Sequence, residues 1–217
     1  MDDVKTPRQT RRDKAAATRL RMVQAAHEVF CERGYGGATM AEIAARAGVA
    51  VQTLYFTFHT KPELLRACYA LAVLGESDPA APQDQPWFDV VLTATKPRDA
   101  VAAFCSGNAQ IHARVAVLDD TVRAAAHEPE ARAVRDDSER LRREGFQNIV
   151  DSWQDRFGLR HGLDVAHATD LLLALASTSM YRMLVVEYGW TPEAYVGWHT
   201  DLVLEQVLAP PRSTRKR

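Results

Sequence analysis

The sequence predicts an all-α protein, with a small N-terminal domain of short helices and a larger helical bundle behind it. Three observations carry that prediction. Apolar residues recur at three- and four-residue steps along almost the whole chain of 217 residues, the period of a half-buried helix. No segment alternates apolar and polar residues, and no Asn-Gly or Asp-Gly pair joins two apolar runs, so hairpins are not expected. Proline and glycine are sparse inside the periodic stretches and cluster between them.

In chain order, residues 1–10 look disordered. A first helix is expected from about Asp13 to Arg33, with Leu20, Val23, Ala26, His27 and Phe30 on one face, and Gly34 supplies its left-handed end. Thr39-Met40-Ala41-Glu42 has the form of a capping box. Its threonine oxygen accepts an unpaired amide proton, and the glutamate reaches back. The short helix it opens stops at Gly48, and a third spans about Val51 to Thr57. Thr60-Lys61-Pro62-Glu63 repeats the box, with proline where a missing amide proton does no harm, and opens a fourth helix to about Leu74.

Asp78 to Pro86 reads as a linker. Pro97 then opens a helix to about Ala113, continued from about Ala116 to Ala126. Pro129 opens a polar one to about Phe157. Gly158 to Leu163 is a turn, and Asp164 can cap a very apolar helix ending near Tyr188. Thr191-Pro192-Glu193 starts the last helix, which ends at Pro210-Pro211. The stretch from Leu171 to Val186 is apolar on nearly every face. The last helix carries Tyr195, Val196, Trp198, Leu202, Val203, Val207 and Leu208. Helices this apolar must be buried on several sides. An isologous homodimer through a four-helix interface is expected from this pair, the alternative being a central hairpin buried in a monomer.

Composition narrows the function. With 47% hydrophobic residues the chain can build a core without metal or disulfide. Cys31, Cys68 and Cys105 are odd in number and lack CxxC spacing, so they read as small hydrophobes in a reducing compartment. No continuous apolar run approaches the ~20 residues of a membrane span, and no apolar segment follows the basic start. A soluble, cytoplasmic and nucleoid-associated protein with no membrane partner is expected. Histidine-glutamate metal motifs, the Gly-x-Ser-x-Gly elbow and a glycine-rich phosphate loop are missing from the sequence, so no enzyme activity, metal or cofactor is expected. The net charge of −1 hides an asymmetry. Met1 to Arg66 holds eleven Lys and Arg against seven Asp and Glu, whereas residues 67–211 hold twelve against twenty-one. The first third is the part suited to a polyanion.

The most informative stretch is GVAVQTLYFTFHTKPELL, residues 48–65. Two short helices joined by Ala47-Gly48-Val49 form a helix-turn-helix, with Ile43, Ala44, Val49, Leu54 and Phe58 as the inward set. Thr39 and Lys61 stand at helix N-termini, where backbone amides favour phosphate. Tyr55 and Thr57 offer outward hydroxyls.

The run Phe30, Glu32-Arg33-Gly34-Tyr35, Thr39, Ile43-Ala44, Ala47-Gly48-Val49, Thr53-Leu54-Tyr55, Phe58, Lys61 and Leu64 resembles the DNA-binding domain of the TetR (tetracycline repressor) family of bacterial regulators. The resemblance implies a basic arm over residues 1–14, a helix-turn-helix domain over 15–66, a ligand-binding and dimerisation domain over 67–211, and a basic tail over 212–217. It implies that Thr39 donates to a phosphate of a palindromic double-stranded operator. Val51, Gln52 and Thr53 would enter the major groove, and Tyr55, Thr57 and Lys61 would clamp phosphates. Two departures stand out. Ala50 replaces the usual serine cap, and Phe56-Thr57 replaces a pair that often ends in histidine or tyrosine. Gln52 can bond adenine in a bidentate way, and Val51 or the Thr53 methyl can touch a thymine methyl, so an A·T-tolerant operator core is expected.

The family also implies a small-molecule effector held in the body. Phe104, Asn108 and His112 recur at four-residue steps on one helix face, and Trp153, Tyr181 and Met183 could close an apolar cavity with them. The alternative is an ordinary core with His112 satisfied by a neighbour. A body that binds a protein partner in place of a small molecule is the second alternative.

Overall fold

The computed structural model describes residues 11–75 and 82–210. Most of the basic arm, the first half of the linker and the C-terminal tail lie outside the described residues. The helices are α1 (Arg11–Gly37), α2 (Met40–Ala47), α3 (Val51–Phe58), α4 (Lys61–Leu74), α5 (Pro86–Thr93), α6 (Pro97–Ala124), α7 (Pro129–Phe157), α8 (Val165–Leu175), α9 (Thr178–Tyr181) and α10 (Pro192–Val207). A one-turn 3-10 helix precedes α5 at Pro82–Asp84, and a π-helical turn, Arg182–Glu187, follows α9. Contacts divide the chain into two compact units. One is Met1–Tyr69 with Thr121–Val134; the other is Ala70–Asp120 with Arg135–Arg217.

In the first unit α1 begins at Arg11, so Arg11–Lys14, expected in the arm, form its first turn. Arginine, lysine and alanine are strong helix formers, and Asp13 complements the positive end of the dipole. Gly34 breaks α1 with φ 73° and ψ 164°, a conformation open to glycine, and the chain regains helical geometry up to Gly37. The break lets Tyr35 stack on Phe30, with ring centroids 5.7 Å apart. Met22, Val29, Phe30, Ile43, Leu54, Leu64 and Leu65 are sealed in the core, while Val49 is only half-buried. Arg46 grips Glu32 through two bonds of 2.6 and 2.8 Å, and Arg33 reaches Glu42 at 3.2 Å. These pairs are exposed and screened by solvent, so they add little stability; their larger effect is to fix α2 on α1. The second half of the expected capping box is thus redirected, because the Glu42 carboxylate serves Arg33.

The second unit differs from expectation in three places. Helix α5 falls where the linker ends. Its Pro86 sits in the first turn, where proline is tolerated, and Val91 is fully buried. Helix α6 runs unbroken, because Arg114 is no breaker. Its guanidinium donates to the carbonyls of Ala72 and Val73 at 2.7 and 3.0 Å and closes the end of α4. The long apolar helix is interrupted at Ala176–Ser177. The Ala176 carbonyl accepts from His112 Nε2 at 2.9 Å and from Arg142 at 3.2 Å, and the Ser177 hydroxyl takes the Met180 amide at 3.3 Å. A continuous helix would have paired that carbonyl with that amide.

The main core gathers Phe104 edge-on against Phe146 and Trp153, at 5.1 and 5.6 Å. Trp87 lies so close over Gly107 that a Cβ there would fall 2.2 Å from the indole. The span Val165–Glu187 is long and apolar enough, by length and composition, to cross a membrane. It is broken at Ala176–Ser177. Burial pushes the Cys105 thiol up to about 12 and raises Cys68 and Cys31 as well, so all three stay protonated.

Candidate nucleic-acid interface

The helix-turn-helix is built from α2, a tight turn and α3. Thr39 caps α2 through the Glu42 amide at 3.1 Å. Gly48 adopts φ 66° and ψ 38°, and its N–H and that of Val49 return to the Ala44 and Ala45 carbonyls. That geometry asks for glycine and turns the chain within two residues. Helix α3 starts without a side-chain cap at Ala50, as the alanine dictates. Leu54 and Phe58 anchor its inner face at 0% and 2% exposure, which directs the opposite face outward.

That outward face carries Gln52, Thr53, Tyr55 and Phe56, all exposed, with Val51 and Thr57 half-buried at its edges. Thr39 is exposed at the start of α2. Two residues are more engaged than the sequence implies. The Thr57 hydroxyl donates to the Thr53 carbonyl at 2.9 Å, so its oxygen faces outward chiefly as an acceptor. The Lys61 ammonium lies 4.2 Å from the centroid of the Tyr35 ring. Desolvation lowers its pKa, while Glu128 and Glu130 pull the other way. The Tyr35 hydroxyl donates to Glu130 at 3.2 Å, completing the cluster that holds this lysine. Between α3 and α4, His59 adopts φ 48°, a strained value for a residue with a side chain. It reverses the chain within one residue.

Phe56 is the residue that sequence reasoning passed over. It is 84% exposed, one helical turn from Gln52 and Thr53 on the same face. Its spacing, i+4 from Gln52, is the signal that places it there. An apolar ring at that position can meet a thymine methyl in the major groove. Phe56→Ala is expected to weaken binding to the preferred site about tenfold and relax preference at one base pair, leaving the salt slope unchanged. Selection from random DNA with both proteins checks this; invariant guanines beneath Gln52 and Phe56 would contradict an A·T-rich core.

The six body residues fall in different clusters. Phe104 and Trp153 pack in the main core, and the Trp153 indole donates to the Val91 carbonyl at 3.4 Å. Tyr181 belongs to a smaller cluster with Ala109 and Tyr195. His112 lies 6.0 Å from Tyr181, with both ring nitrogens engaged, one by the Ala176 carbonyl and one by the Thr178 hydroxyl at 3.1 Å. Asn108 is buried and donates to the Phe104 carbonyl at 3.3 Å, and Met183 is exposed on the π-turn. An open cleft of ≈ 420 Å³ between Leu74, Trp87, Ile111 and Arg114, and one of ≈ 1100 Å³ near Arg98, Arg156 and Asp201, include none of the six.

A capped α2, a tight glycine turn and an α3 with an outward polar face make the geometry of a helix-turn-helix. Residues 22–68 match the family model of bacterial regulatory proteins, tetR family. Over those residues the chain is similar to that family, and a helical body follows them. No curated protein matches the sequence. Solved structures share the fold across nearly the whole chain. The transcriptional regulator FadR from Bacillus subtilis, in complex with stearoyl-CoA, aligns at TM-score 0.68 with 18% identity over 85% of this chain and 96% of its own. NalD, the secondary repressor of the MexAB-OprM multidrug efflux pump in Pseudomonas aeruginosa, aligns at 0.66 with 16% identity over 89% and 98%. The ketosteroid transcriptional regulator KstR2 of Mycobacterium tuberculosis aligns at 0.55 with 17% identity over 88% and 94%.

Proposed function

We propose that the chain is a ligand-responsive transcriptional repressor that binds a palindromic operator as a homodimer and releases it when a small apolar or aromatic effector occupies the body. Residues 15–66 act as the DNA-binding head and 67–211 as the effector and dimer domain. The observation that carries this reading is the face of α3. Gln52, Thr53 and Phe56 point outward with no acidic residue among them, while Leu54 and Phe58 lock the helix from behind. Thr39, Val51, Tyr55, Thr57 and Lys61 flank that face and take the phosphate contacts and the edge of the groove. FadR, solved with stearoyl-CoA, and NalD, a repressor, support the effector and the sign of regulation by analogy.

Exposed apolar surface supports the dimer. Leu171, Met183, Val186, Tyr188, Trp190 and Trp198 are all uncovered in the single chain. Half the large exposed hydrophobics of the described residues fall in this one stretch of sequence, where a second copy would cover them. Val186, 64% exposed, touches little of its own chain. Val186→Arg is expected to leave the helical content unchanged, shift sedimentation from dimer to monomer, and weaken binding to genomic sites mapped with the parent protein more than tenfold. A variant that stays dimeric would place the interface elsewhere. Bound sites without two-fold symmetry would remove the palindrome.

A further inference from the structure

Among the described residues five side-chain polar atoms are sealed from solvent without a hydrogen-bond partner, and three of them lie together: Tyr195 Oη, His199 Nδ1 and His199 Nε2. Both residues are 0% exposed. They stand one turn apart on the inner face of α10, with ring centroids 5.2 Å apart. Buried polar atoms are paired in the great majority of native structures, so a cluster of unpaired ones calls for an explanation, and a bound partner is one. A second, independent feature adjoins it. The wall facing Tyr195 is Tyr181, edge-on at 5.2 Å, and Tyr181 ends the four-residue α9 between the break at Ala176–Ser177 and the π-turn Arg182–Glu187. π-Turns inside helices are rare and gather at functional sites, and a wall hydrogen-bonded this irregularly can shift to admit a ligand.

We propose that Tyr195 and His199 are the polar contacts of the effector site, and that they select an uncharged ring compound bearing a hydroxyl group. The inference rests on the ligand-responsive reading of the protein and gives that reading a chemistry. Tyr181 and Trp198 supply the flanking aromatic surface. Neutral imidazole offers one donor and one acceptor, and the phenol offers one of each. A ligand hydroxyl, which both donates and accepts, can satisfy the pair. A carboxylate accepts from both but has no proton for the second imidazole nitrogen, and it would bury a charge with no cation beside it. Burial holds His199 neutral, with its pKa lowered to about 4, and keeps the Tyr195 hydroxyl protonated. His112, nearby, is already paired through both nitrogens and takes the role of brace for the broken wall.

The test uses three matched probes with the full-length dimer: 2-naphthol, naphthalene and 2-naphthoate. Titration calorimetry is expected to give 2-naphthol an affinity about tenfold above naphthalene, with no binding of 2-naphthoate. Tyr195→Phe, which removes only the unpaired oxygen, is expected to abolish most of that preference while keeping naphthalene binding. His199→Leu, if folded, repeats the result. Equal binding of 2-naphthoate, no binding by any probe, or a hydroxyl preference that survives Tyr195→Phe overturns the proposal. Operator binding in the presence of 2-naphthol separates the two ideas. If 2-naphthol binds through Tyr195 and DNA affinity is unchanged, the site stands and the effector reading fails. If DNA affinity falls equally in parent and Tyr195→Phe, the effector reading stands and this site fails.

Discussion

Deleting residues 1–12 is expected to weaken operator binding and to flatten its dependence on salt. The argument is electrostatic. Helix α3 holds no lysine or arginine. Behind it, Arg46 is committed to Glu32 and Arg33 to Glu42, so their charge is largely matched within the fold. Arg19 lies over the Phe58 ring at 4.3 Å, charged but occupied. Lys61 sits on Tyr35 with two glutamates pulling on it. The deleted residues include Lys5, Arg8, Arg11 and Arg12 against Asp2 and Asp3, a net positive segment suited to phosphate. Each phosphate neutralised by such a residue adds about 0.9 to the slope of log affinity against log salt. Loss of four contacts would flatten the slope by roughly 3.6 and remove about a hundredfold of the salt sensitivity between 50 and 200 mM. Fluorescence anisotropy across that range measures it, with circular dichroism confirming that α1 still forms. An unchanged slope would show that the arm makes no phosphate contact.

Much of the head was legible because its signals are local. Thr39, Gly48, Thr60 and Pro62 each act within four residues, through a cap or a turn, and each stands where its sequence context places it. The alternation of Leu54 and Phe58 with Gln52, Thr53 and Phe56 is likewise one helix read at its own period. The body was less legible because its breaks are made at long range. Nothing between Leu171 and Tyr188 forbids a continuous helix. The interruption depends on His112 and Arg142, brought from 64 and 34 residues away to the Ala176 carbonyl. The six expected ligand residues are spread over different clusters for the same reason. Spacing along α6 gives a face, but the partner of each face is decided by packing. Helix α5 was hidden in a different way, since its proline and the polar residues before it share the composition of a linker.

Acid is expected to destabilise the body well before its carboxylates titrate. Burial is the first cause that depresses both His112 and His199, each to about 4, with Arg142 adding to the effect at His112. In the unfolded chain both return to the ordinary histidine value of about 6.5. A folded-state pKa below the unfolded one means that the fold favours neutral imidazole. Stability from the two rings is therefore fully present above about pH 6.5, declines as pH falls, and is lost by about pH 4, where the folded state also takes up protons. Within that window the unfolded chain binds up to two protons more than the folded one, so stability falls by up to about 2.7 kcal/mol per pH unit. The Asp164 carboxylate, lowered chiefly by its bond from the His167 amide, adds acid sensitivity only below its ordinary range, so pH 5 to 6.5 keeps its effect apart from that of the two histidines. Urea unfolding at half-unit steps is expected to show His199→Leu with about half the parent slope in this interval. Absolute stability is not the discriminating readout for His112→Gln, because that change also frees the Ala176 carbonyl and the Thr178 hydroxyl. Its pH slope is the discriminating one. A parent slope left undiminished in both variants would show that neither buried imidazole is kept neutral by the fold.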